Sequence, residues 1–342
     1  MEVERDKLRE QIMRQAQGAL SMSIAYIGIV NRLFAHLADA DSVSPKWLAQ
    51  KTGMNTDYVA RWCDAAYAFE YLEQPVENIF GLTPLGHAFL DDQPGNLISF
   101  AVQSMLSAHM AERAAGLMRT GECPGEKILN EWETILPWFG PMLEHMFGPL
   151  LKNEIIDRVP AFSEVDAQGG TIIDLGCGNG WYLRAIIGSY PKLRGIGLDG
   201  IGENIDQAVK AAEREGLTNR LTFAVGDIYN FHVDEPANLI AMNRSLHHVW
   251  DQKKKIFTIL RDHLCPGGSV VIWEPNWPLE YENLRIPDRR ALAFQNLSEH
   301  VLGNHFLHAD EIVAELKAVG LKPEVFSIAG GRDVVITGTR SK

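Results

Sequence analysis

The segment IIDLGCGNG, residues 172 to 180, places three alternate glycines directly after an apolar run that contains an aspartate. Such a turn lets the backbone approach a ligand closely, and a phosphate group is the first ligand to consider. The dinucleotide fingerprint G-x-G-x-x-G requires a third glycine at the position that Trp181 occupies here. A phosphate-binding P-loop requires a lysine followed by serine or threonine, and no such pair follows the glycines. The spacing therefore favours a ligand other than a diphosphate.

Strands that alternate with helical patterns surround this turn, over residues 169 to 342. This alternation predicts an α/β fold with a parallel, doubly wound sheet, whose ligands bind beyond the carboxyl ends of the strands. Two further apolar runs flank Gly330 and Gly331, which predicts a hairpin and an antiparallel last strand in a seven-stranded sheet. The predicted parallel strands are TIIDL (171–175), RGIGLD (194–199), LTFAV (221–225), NLIAMN (238–243) and SVVIWE (269–274).

Carboxylates stand at the ends of the first three predicted strands. The pattern of apolar residues, Asp174 and alternate glycines resembles motif I of the class I S-adenosylmethionine-dependent methyltransferases, a Rossmann-like family. Asp199 and Asp227 stand where that family has further carboxylates, and LCPGGSVVI (264–272) precedes the fifth strand as it does there. The alternative is three solvated aspartates in loops.

The resemblance covers about half of the chain and implies S-adenosylmethionine as the cofactor. It implies that the first aspartate accepts a hydrogen bond from the cofactor's ammonium group, directly or through water. The second aspartate would take the ribose hydroxyls, and the third the exocyclic amine of adenine. The cofactor contacts implied in this way are Asp174, Gly176, Gly178, Gly180, Asp199, Asp227, Ile228 and Asn243.

Two adjacent histidines follow the fourth predicted strand, in MNRSLHHVWDQ (242–252). Small-molecule O-methyltransferases with an N-terminal winged-helix dimerisation domain look similar here, with a catalytic histidine and an acidic residue four positions on. His247 and Asp251 match that spacing, and Glu274 resembles the acidic residue that orients the histidine. The resemblance implies that His247 removes a hydroxyl proton from the acceptor, and a reference pKa near 6.5 suits that role.

Two departures from that family leave the catalytic assignment open. His248 stands where the plant-type enzymes have aspartate, so both histidines and Glu274 are candidate catalytic residues. The third acidic residue of those enzymes has no clear match, although QNLSEHVLGNHFLH (295–308) has the corresponding polar content. A loop without any chemistry is the alternative interpretation of the two histidines.

A metal-assisted reaction is a second possibility, as in some α-keto-acid C-methyltransferases of this architecture. His247 with Glu299 and either His300 or His305 could then form a set of two histidines and one carboxylate. Because their spacing is loose and the loop is polar in any case, we expect a site without a metal.

A thioether acceptor needs no base, because its sulfur attacks the methyl group directly and no proton leaves. Aromatic faces and carboxylates would then stabilise the product sulfonium. ILPWFGPMLEHMF (135–147) and AMNRSLHHVWDQ (241–252) resemble the methylthiohydroxybutyrate S-methyltransferases of dimethylsulfoniopropionate synthesis. That resemblance implies 4-methylthio-2-hydroxybutyrate as the acceptor, and its carboxylate would need a cation. The candidate cations are Arg244, Arg289 and Arg290.

The first 95 residues have helix–turn–helix spacing followed by a short wing, with Ser44 and Asn55 or Thr56 as helix caps. A DNA-recognition helix needs basic side chains, but the second helix offers Arg61 among acidic residues. We therefore expect a domain that forms a homodimer. A regulator that senses a ligand is the non-enzyme alternative. It would need a basic recognition helix and would not need a histidine at position 247, and the sequence differs on both points.

Residues 96–168 are predicted to form a helical connector that lines the substrate pocket, and residues 169–342 the methyltransferase domain. The connector is rich in methionine and aromatic side chains, which adapt to small ligands, although most of them are expected to be core. The predicted substrate contacts are Trp138, Met142, His145, Arg244, Trp277 and His300.

The net charge of −12 is a poor match to nucleic acid or to an anionic membrane surface. The first ten residues, MEVERDKLRE, lack the apolar core of a signal peptide, and the run GALSMSIAYIGIV (18–30) is too short to span a bilayer. The four cysteines are far apart, which argues against disulfides and against a zinc site. These features predict a cytoplasmic protein. The resemblances above imply that it is a methyltransferase of a small organic acid, with a hydroxylated small molecule or an α-keto acid as the alternative acceptor.

Overall fold

The computed structural model describes residues 2–91, 93, 95–125, 128, 136–233 and 235–342. Ile135, the first residue of the segment 135–147, lies outside the described residues. The chain divides into two compact units, which are described separately. One unit comprises Met1–Glu112 and Trp132–Met142, and the other comprises Arg113–Glu131 and Leu143–Lys342.

The first unit consists mainly of helices with one small antiparallel sheet, in the strand order β1–β3–β2. Two helices, α6 (Ile98–Leu117) and α7 (Leu136–Leu150), contribute residues to both units. The other helices are α1 (Glu2–Val30), α2 (Leu33–Ala38), α3 (Pro45–Thr52), α4 (Thr56–Ala68) and α5 (Pro84–His87), and the strands are β1 (Ser42–Val43), β2 (Leu72–Val76) and β3 (Ile79–Leu82).

Side chains cap the helices of this unit where the sequence predicted them. The Ser44 hydroxyl accepts a hydrogen bond from Trp47 N at 3.2 Å, and the Asn55 side chain accepts from the first amides of α4. Gly53 ends α3 with a φ of 70°, a left-handed conformation that favours glycine. The run 18–30 forms the second half of α1, and within the described residues no helix combines the length and apolar character that crossing a bilayer requires.

The second unit contains a seven-stranded sheet in the order β6–β5–β4–β7–β8–β10–β9. The first five of these strands run parallel, and β10 pairs antiparallel with both β8 and β9. The α/β fold and the antiparallel last strand are therefore confirmed. The strands are β4 (Thr171–Leu175), β5 (Arg194–Asp199), β6 (Leu221–Val225), β7 (Ala237–Asn243), β8 (Leu264–Pro275), β9 (Leu321–Ile328) and β10 (Asp333–Arg340).

Helices connect these strands, and several short turns lie beside the carboxyl ends. The helices are α8 (Pro160–Gln168), α9 (Trp181–Ser189), α10 (Gly202–Arg214), α11 (Lys253–Asp262), α12 (Arg290–Val301) and α13 (Ala309–Ala318). A π-helical turn covers Leu151–Ile155, and 3₁₀ turns cover Leu246–Gln252, Tyr281–Arg285, Pro287–Arg289 and Ala329–Gly331.

Both faces of the large sheet are covered by apolar side chains. Successive residues of a strand point to opposite faces, so an apolar run contributes to two cores. This burial holds the carboxyl ends of the strands in fixed positions. The two clusters contain, from β4, β7 and β8, Ile172, Leu239 and Trp273 on one face and Ile173, Ile240 and Ile272 on the other.

Close packing requires a glycine at position 197 in β5. A single methyl group added there is therefore expected to lower the stability of the fold. A Cβ at this position would lie 2.4 Å from the Phe223 ring and 2.9 Å from Cys177 Sγ. Gly197→Ala should destabilise the fold by about 1–3 kcal/mol because the ring must shift. Scanning calorimetry measures this as a lower unfolding temperature. Gly188→Ala, at an exposed helical site where a Cβ meets no atom within 4 Å, is the control and should not be destabilising. Equal midpoints for the two variants would contradict the packing argument.

Candidate active site

The glycine turn between β4 and α9 combines a tightly packed part with an open part. Gly176, Gly178 and Gly180 all have positive φ, at 75°, 55° and 73°. A Cβ on Gly180 would lie 2.6 Å from the Phe223 ring, so a glycine is required there for packing. A Cβ on Gly178 would meet no described atom within 4 Å. The backbone at Gly178 is therefore accessible to a ligand.

Asp174, near the end of β4, is a buried carboxyl group without a partner among the described residues. Its side chain is fully buried, and neither of its oxygens accepts a hydrogen bond from those residues. Burial, together with the neighbouring Asp199 carboxylate, raises the pKa of Asp174 to about 8. A ligand that brings a cation or a hydrogen-bond donor would satisfy this carboxyl group, as an ammonium group of a cofactor does.

Asp199, the last residue of β5, shapes the glycine turn itself. Its Oδ2 accepts a hydrogen bond from Gly178 N at 2.9 Å, and its Oδ1 accepts from Ile201 N at 2.9 Å. Asn204 Nδ2 also donates to Oδ1, at 3.2 Å. The glycine spacing alone did not predict this support, which links the turns after β4 and β5.

The other predicted cofactor contacts lie near the carboxyl ends of the neighbouring strands. Asp227 follows β6, and its Oδ1 accepts a hydrogen bond from Tyr229 N at 2.9 Å. Ile228 is half-buried and packs against one of the two core clusters. Asn243 ends β7, and its Oδ1 is buried without a partner among the described residues. Because β4 to β7 are parallel neighbours in this sheet, these groups share one edge with Asp174.

His247 and Glu274 form a buried pair beside the end of β8. The two side chains are 4% and 1% exposed, and His247 Nδ1 lies 2.6 Å from Glu274 Oε2. The other carboxylate oxygen accepts a hydrogen bond from Leu246 N at 2.8 Å. The ring edge also contacts Phe306, with the two centroids 5.5 Å apart. Glu274 therefore fixes the ring through Nδ1 and leaves Nε2 for other partners.

A second carboxylate, Glu299 of α12, lies on the Nε2 side of His247. Its Oε2 is 3.6 Å from His247 Nε2, and Asn304 Nδ2 lies 3.4 Å from the same oxygen. Asn304 Nδ2 also lies 3.3 Å from Nδ1 of His248, whose ring centroid is 4.3 Å from that of His247. The sequence indicated Glu299 as a possible metal ligand but did not predict it as a partner of His247, the candidate catalytic histidine.

The two carboxylates determine the charge of His247. Burial lowers the pKa of this histidine, but Glu274 and Glu299 outweigh that effect and raise its pKa to about 9. Burial also raises the pKa of Glu299, and the charge of His247 overcomes this so that the net pKa is lowered. The two carboxylates therefore favour the protonated form of His247.

Three other polar residues that the sequence indicated near His247 are exposed. Asp251 matched the family spacing, but its side chain is exposed, and it lies in the 3₁₀ turn Leu246–Gln252, where Val249 has non-helical angles. His300 and His305 are also exposed. A different set is brought together: His247, His248 and Glu299 each offer one possible ligand atom, and these atoms lie within 4.8 Å of one another.

The three arginines that were predicted as candidates to bind a substrate carboxylate already have partners in the protein. Arg244 has a positive φ of 55°, its guanidinium lies 4.0 Å from the centre of the Phe147 ring, and it bonds to Asp333. Arg289 Nη2 donates to Gly331 O at 2.9 Å. Arg290 Nε donates to a backbone carbonyl at 3.3 Å.

The other predicted substrate contacts lie in different parts of the chain. Trp138 belongs to the first unit and lines a cavity of about 290 Å³ there, together with Phe34 and Phe89. Met142 is buried in the same unit, and His145 is half-buried in the second unit. Trp277 is half-buried after β8, where its carbonyl lies 3.0 Å from Nδ1 of His308.

Comparison with known proteins identifies the family. Residues 142–324, more than half of the chain, match the family described as "Methyltransferase domain". O-methyltransferase SfmM3 of Streptomyces lavendulae is 24% identical over 260 residues, which cover 73% of each chain. An O-methyltransferase family protein of Burkholderia thailandensis has a TM-score of 0.73 at 18% identity, over 100% of this chain and 98% of that one.

A further solved structure carries the cofactor product. The O-methyltransferase NcsB1 from neocarzinostatin biosynthesis, in complex with S-adenosyl-L-homocysteine and 1,4-dihydroxy-2-naphthoic acid, has a TM-score of 0.67 at 18% identity. The superposition covers 94% of this chain and 96% of that one. The open backbone at Gly178 and the partnerless carboxyl group of Asp174 fit the same cofactor. The chain therefore belongs to the S-adenosylmethionine-dependent methyltransferases.

Proposed function

We propose that this methyltransferase transfers the methyl group to a hydroxyl oxygen of a small molecule, with His247 accepting the hydroxyl proton at Nε2. The observation that carries this proposal is the buried pair of His247 and Glu274, with 2.6 Å between Nδ1 and Oε2. A hydroxyl group must lose its proton during methylation, and a histidine fixed in this way is suited to take it. The names of SfmM3 and NcsB1 as O-methyltransferases support the same acceptor atom.

When bound, the cofactor would supply a methyl group activated by a positively charged sulfur. Asp174 would hold its ammonium group, and Asp199 would hold its ribose hydroxyls. Asp227 and Ile228 would hold the adenine. The remaining contribution of the chain is alignment of the acceptor oxygen with the methyl group in a site closed to water.

Glu274 and Glu299 together determine how much of His247 is in the neutral form that can accept a proton. With its pKa raised to about 9, only a minor fraction of His247 is neutral at pH 7. Only the neutral form can act as a base, so the rate of proton removal depends on the charges that surround the ring. Glu274 orients the ring through Nδ1. Glu299 stabilises a proton on Nε2, the nitrogen that the hydroxyl group of the acceptor must approach.

Sulfur methylation of 4-methylthio-2-hydroxybutyrate stays a prediction for the same fold. In this reaction no proton leaves the acceptor, so the pair of His247 and Glu274 would have no proton to accept. The carboxylate of this acceptor would also need a cation, and Arg244 and Arg289 already bond to Asp333 and Gly331. Methylation of carbon in an α-keto acid also stays a prediction. The contacts of His247 therefore favour a hydroxylated acceptor.

We also propose that the first 95 residues form a winged-helix dimerisation domain, that residues 96–168 line the substrate pocket and that residues 169–342 bind the cofactor. The caps of α3 and α4 and the strands β2 and β3 support the first assignment. Leu8, Ile12 and Leu20 of α1 are 59%, 62% and 59% exposed, which leaves an apolar surface for a second copy. A cytoplasmic location and the absence of nucleic-acid and membrane partners stay predictions.

The first prediction from the proposed function concerns the cofactor. Asp199→Ala should weaken binding of S-adenosylmethionine by roughly tenfold or more, because each lost hydrogen bond to a charged group contributes about 1.5–3 kcal/mol. Isothermal titration calorimetry measures the affinity. Asp206→Ala, which removes an exposed carboxylate from α10, is the control and should bind like the wild type. An unchanged affinity in the Asp199 variant would place the cofactor elsewhere.

The second prediction concerns the base. For a hydroxylated acceptor, kcat/KM should rise with pH up to about 9, because His247 must lose its proton first. In Glu299→Gln the rise should occur at lower pH, since a neutral amide no longer stabilises the charged ring. The assay follows S-adenosylhomocysteine release with catechol, 1,4-dihydroxy-2-naphthoic acid and 4-methylthio-2-hydroxybutyrate, each offered separately.

Because wild type and Glu299→Gln are compared on the same acceptor, ionisation of the acceptor itself cancels from the comparison. His247→Asn should lower kcat by roughly 10²- to 10⁴-fold with a hydroxylated acceptor. If only 4-methylthio-2-hydroxybutyrate is methylated, and at the same rate at pH 7 and pH 10, His247 does not act as a base. That result would favour sulfur as the acceptor atom.

The third prediction concerns the dimer. A double variant, Leu8→Glu with Ile12→Glu, should dissociate the homodimer into chains of 38.1 kDa, because two charges would be buried in the apolar surface. Light scattering after size exclusion measures the mass. Lys7→Glu changes the net charge by the same amount on the same helix and should remain dimeric. A monomeric wild type, or dissociation of both variants, would contradict this interface.

A further inference from the structure

Three side chains beside the proposed base form a compact set of metal-ligating groups. The possible ligand atoms of His247, His248 and Glu299 lie within 4.8 Å of one another. Bonds of about 2.0–2.2 Å to a divalent ion place its ligand atoms roughly 3–4 Å apart. His247 Nε2 and Glu299 Oε2 are already separated by 3.6 Å. Small rotations of these side chains would therefore be enough to bring all three groups onto one ion.

The surroundings of this set orient its members as the outer partners of a metal site do. Glu274 occupies Nδ1 of His247 and is itself held by Leu246 N at 2.8 Å, so that Nε2 is directed towards the other ligands. A carboxylate on the far nitrogen of a ligating histidine fixes its orientation and makes it a better ligand. Asn304 contacts both Glu299 Oε2 and His248 Nδ1 through the same amide nitrogen. The two remaining ligands are thereby held together.

We propose that His247, His248 and Glu299 bind one divalent first-row transition-metal ion, such as Zn²⁺ or Co²⁺. Two imidazoles and one carboxylate are a ligand set that such ions accept while keeping further coordination positions open. The set differs from those that the sequence suggested, because His300 and His305 are exposed. The ion and a proton would compete for the same lone pair on His247 Nε2. A bound ion therefore excludes proton acceptance by this histidine.

The test uses the full chain without an affinity tag, freed of metal by a chelator. Titration with Co²⁺, followed by calorimetry and by visible absorbance, should show one binding site per chain. His248→Ala and Glu299→Gln should each weaken Co²⁺ binding at least tenfold, by loss of one ligand. Glu274→Gln should weaken it about ten- to hundredfold through its effect on His247. His305→Ala removes an exposed histidine from the same region and should bind within twofold of the wild type.

Affinity for S-adenosylmethionine, measured in every variant, distinguishes loss of the metal site from loss of the fold. Absence of saturable Co²⁺ binding, or equal weakening in His305→Ala and His248→Ala, would overturn the site. In that case the three groups form only a network of a protonated histidine and carboxylates.

The consequence for turnover rests on the proposed function. Saturating Zn²⁺ should lower turnover of a hydroxylated acceptor at least tenfold, and a chelator should restore it. Unchanged or faster turnover with the metal bound would overturn the exclusion of proton acceptance. The pH profiles in metal-free buffer test the proposed base independently, so failure of that role and failure of the metal site are distinguishable.

Discussion

The parallel part of the large sheet is buried on both faces, and this constraint decides where the second unit can place its polar groups. Side chains of β4, β7 and β8 enter two separate apolar clusters. A charged group in the middle of such a strand would lose its hydration without a partner. Polar groups consequently collect where strands end, as Asp199 does in β5 and Glu274 in β8. A ligand at this edge meets groups from several strands, all held by one packed core.

Two carboxyl groups at this edge meet the same constraint in opposite ways. Glu274 is almost completely buried but has two partners, the ring of His247 and the amide of Leu246. Asp174 is completely buried and has no partner among the described residues, and its pKa is raised to about 8. The first group is part of a completed network, which fixes the ring of His247, the proposed base, without a contribution from a ligand. A ligand that donates a hydrogen bond would satisfy the second.

The strands were predictable because each is an apolar run with glycine or a polar residue at its ends, and β4, β5 and β6 have the predicted bounds. The pairing of β7 with β8 then brings His247 and Glu274 to the same edge. Asp251 was less predictable, because the non-helical angles of Val249 break the repeat that a spacing of four residues assumes. The position of Glu299 was not predictable either. The chain reaches α12 through irregular 3₁₀ turns, whose path has no periodic pattern in the sequence.

The strand order has a consequence for the synthesis of this chain. β10 follows β9 in sequence but lies between β8 and β9 in the sheet. While a ribosome is still producing the chain, the five parallel strands can pair with one another, but β9 has no neighbour to join. β8 therefore keeps an unpaired edge until Asp333–Arg340 leaves the exit tunnel, and such an edge can pair with other chains. β10 thus completes the sheet by joining β9 to β8, and before it arrives the nascent protein carries an additional unpaired strand edge.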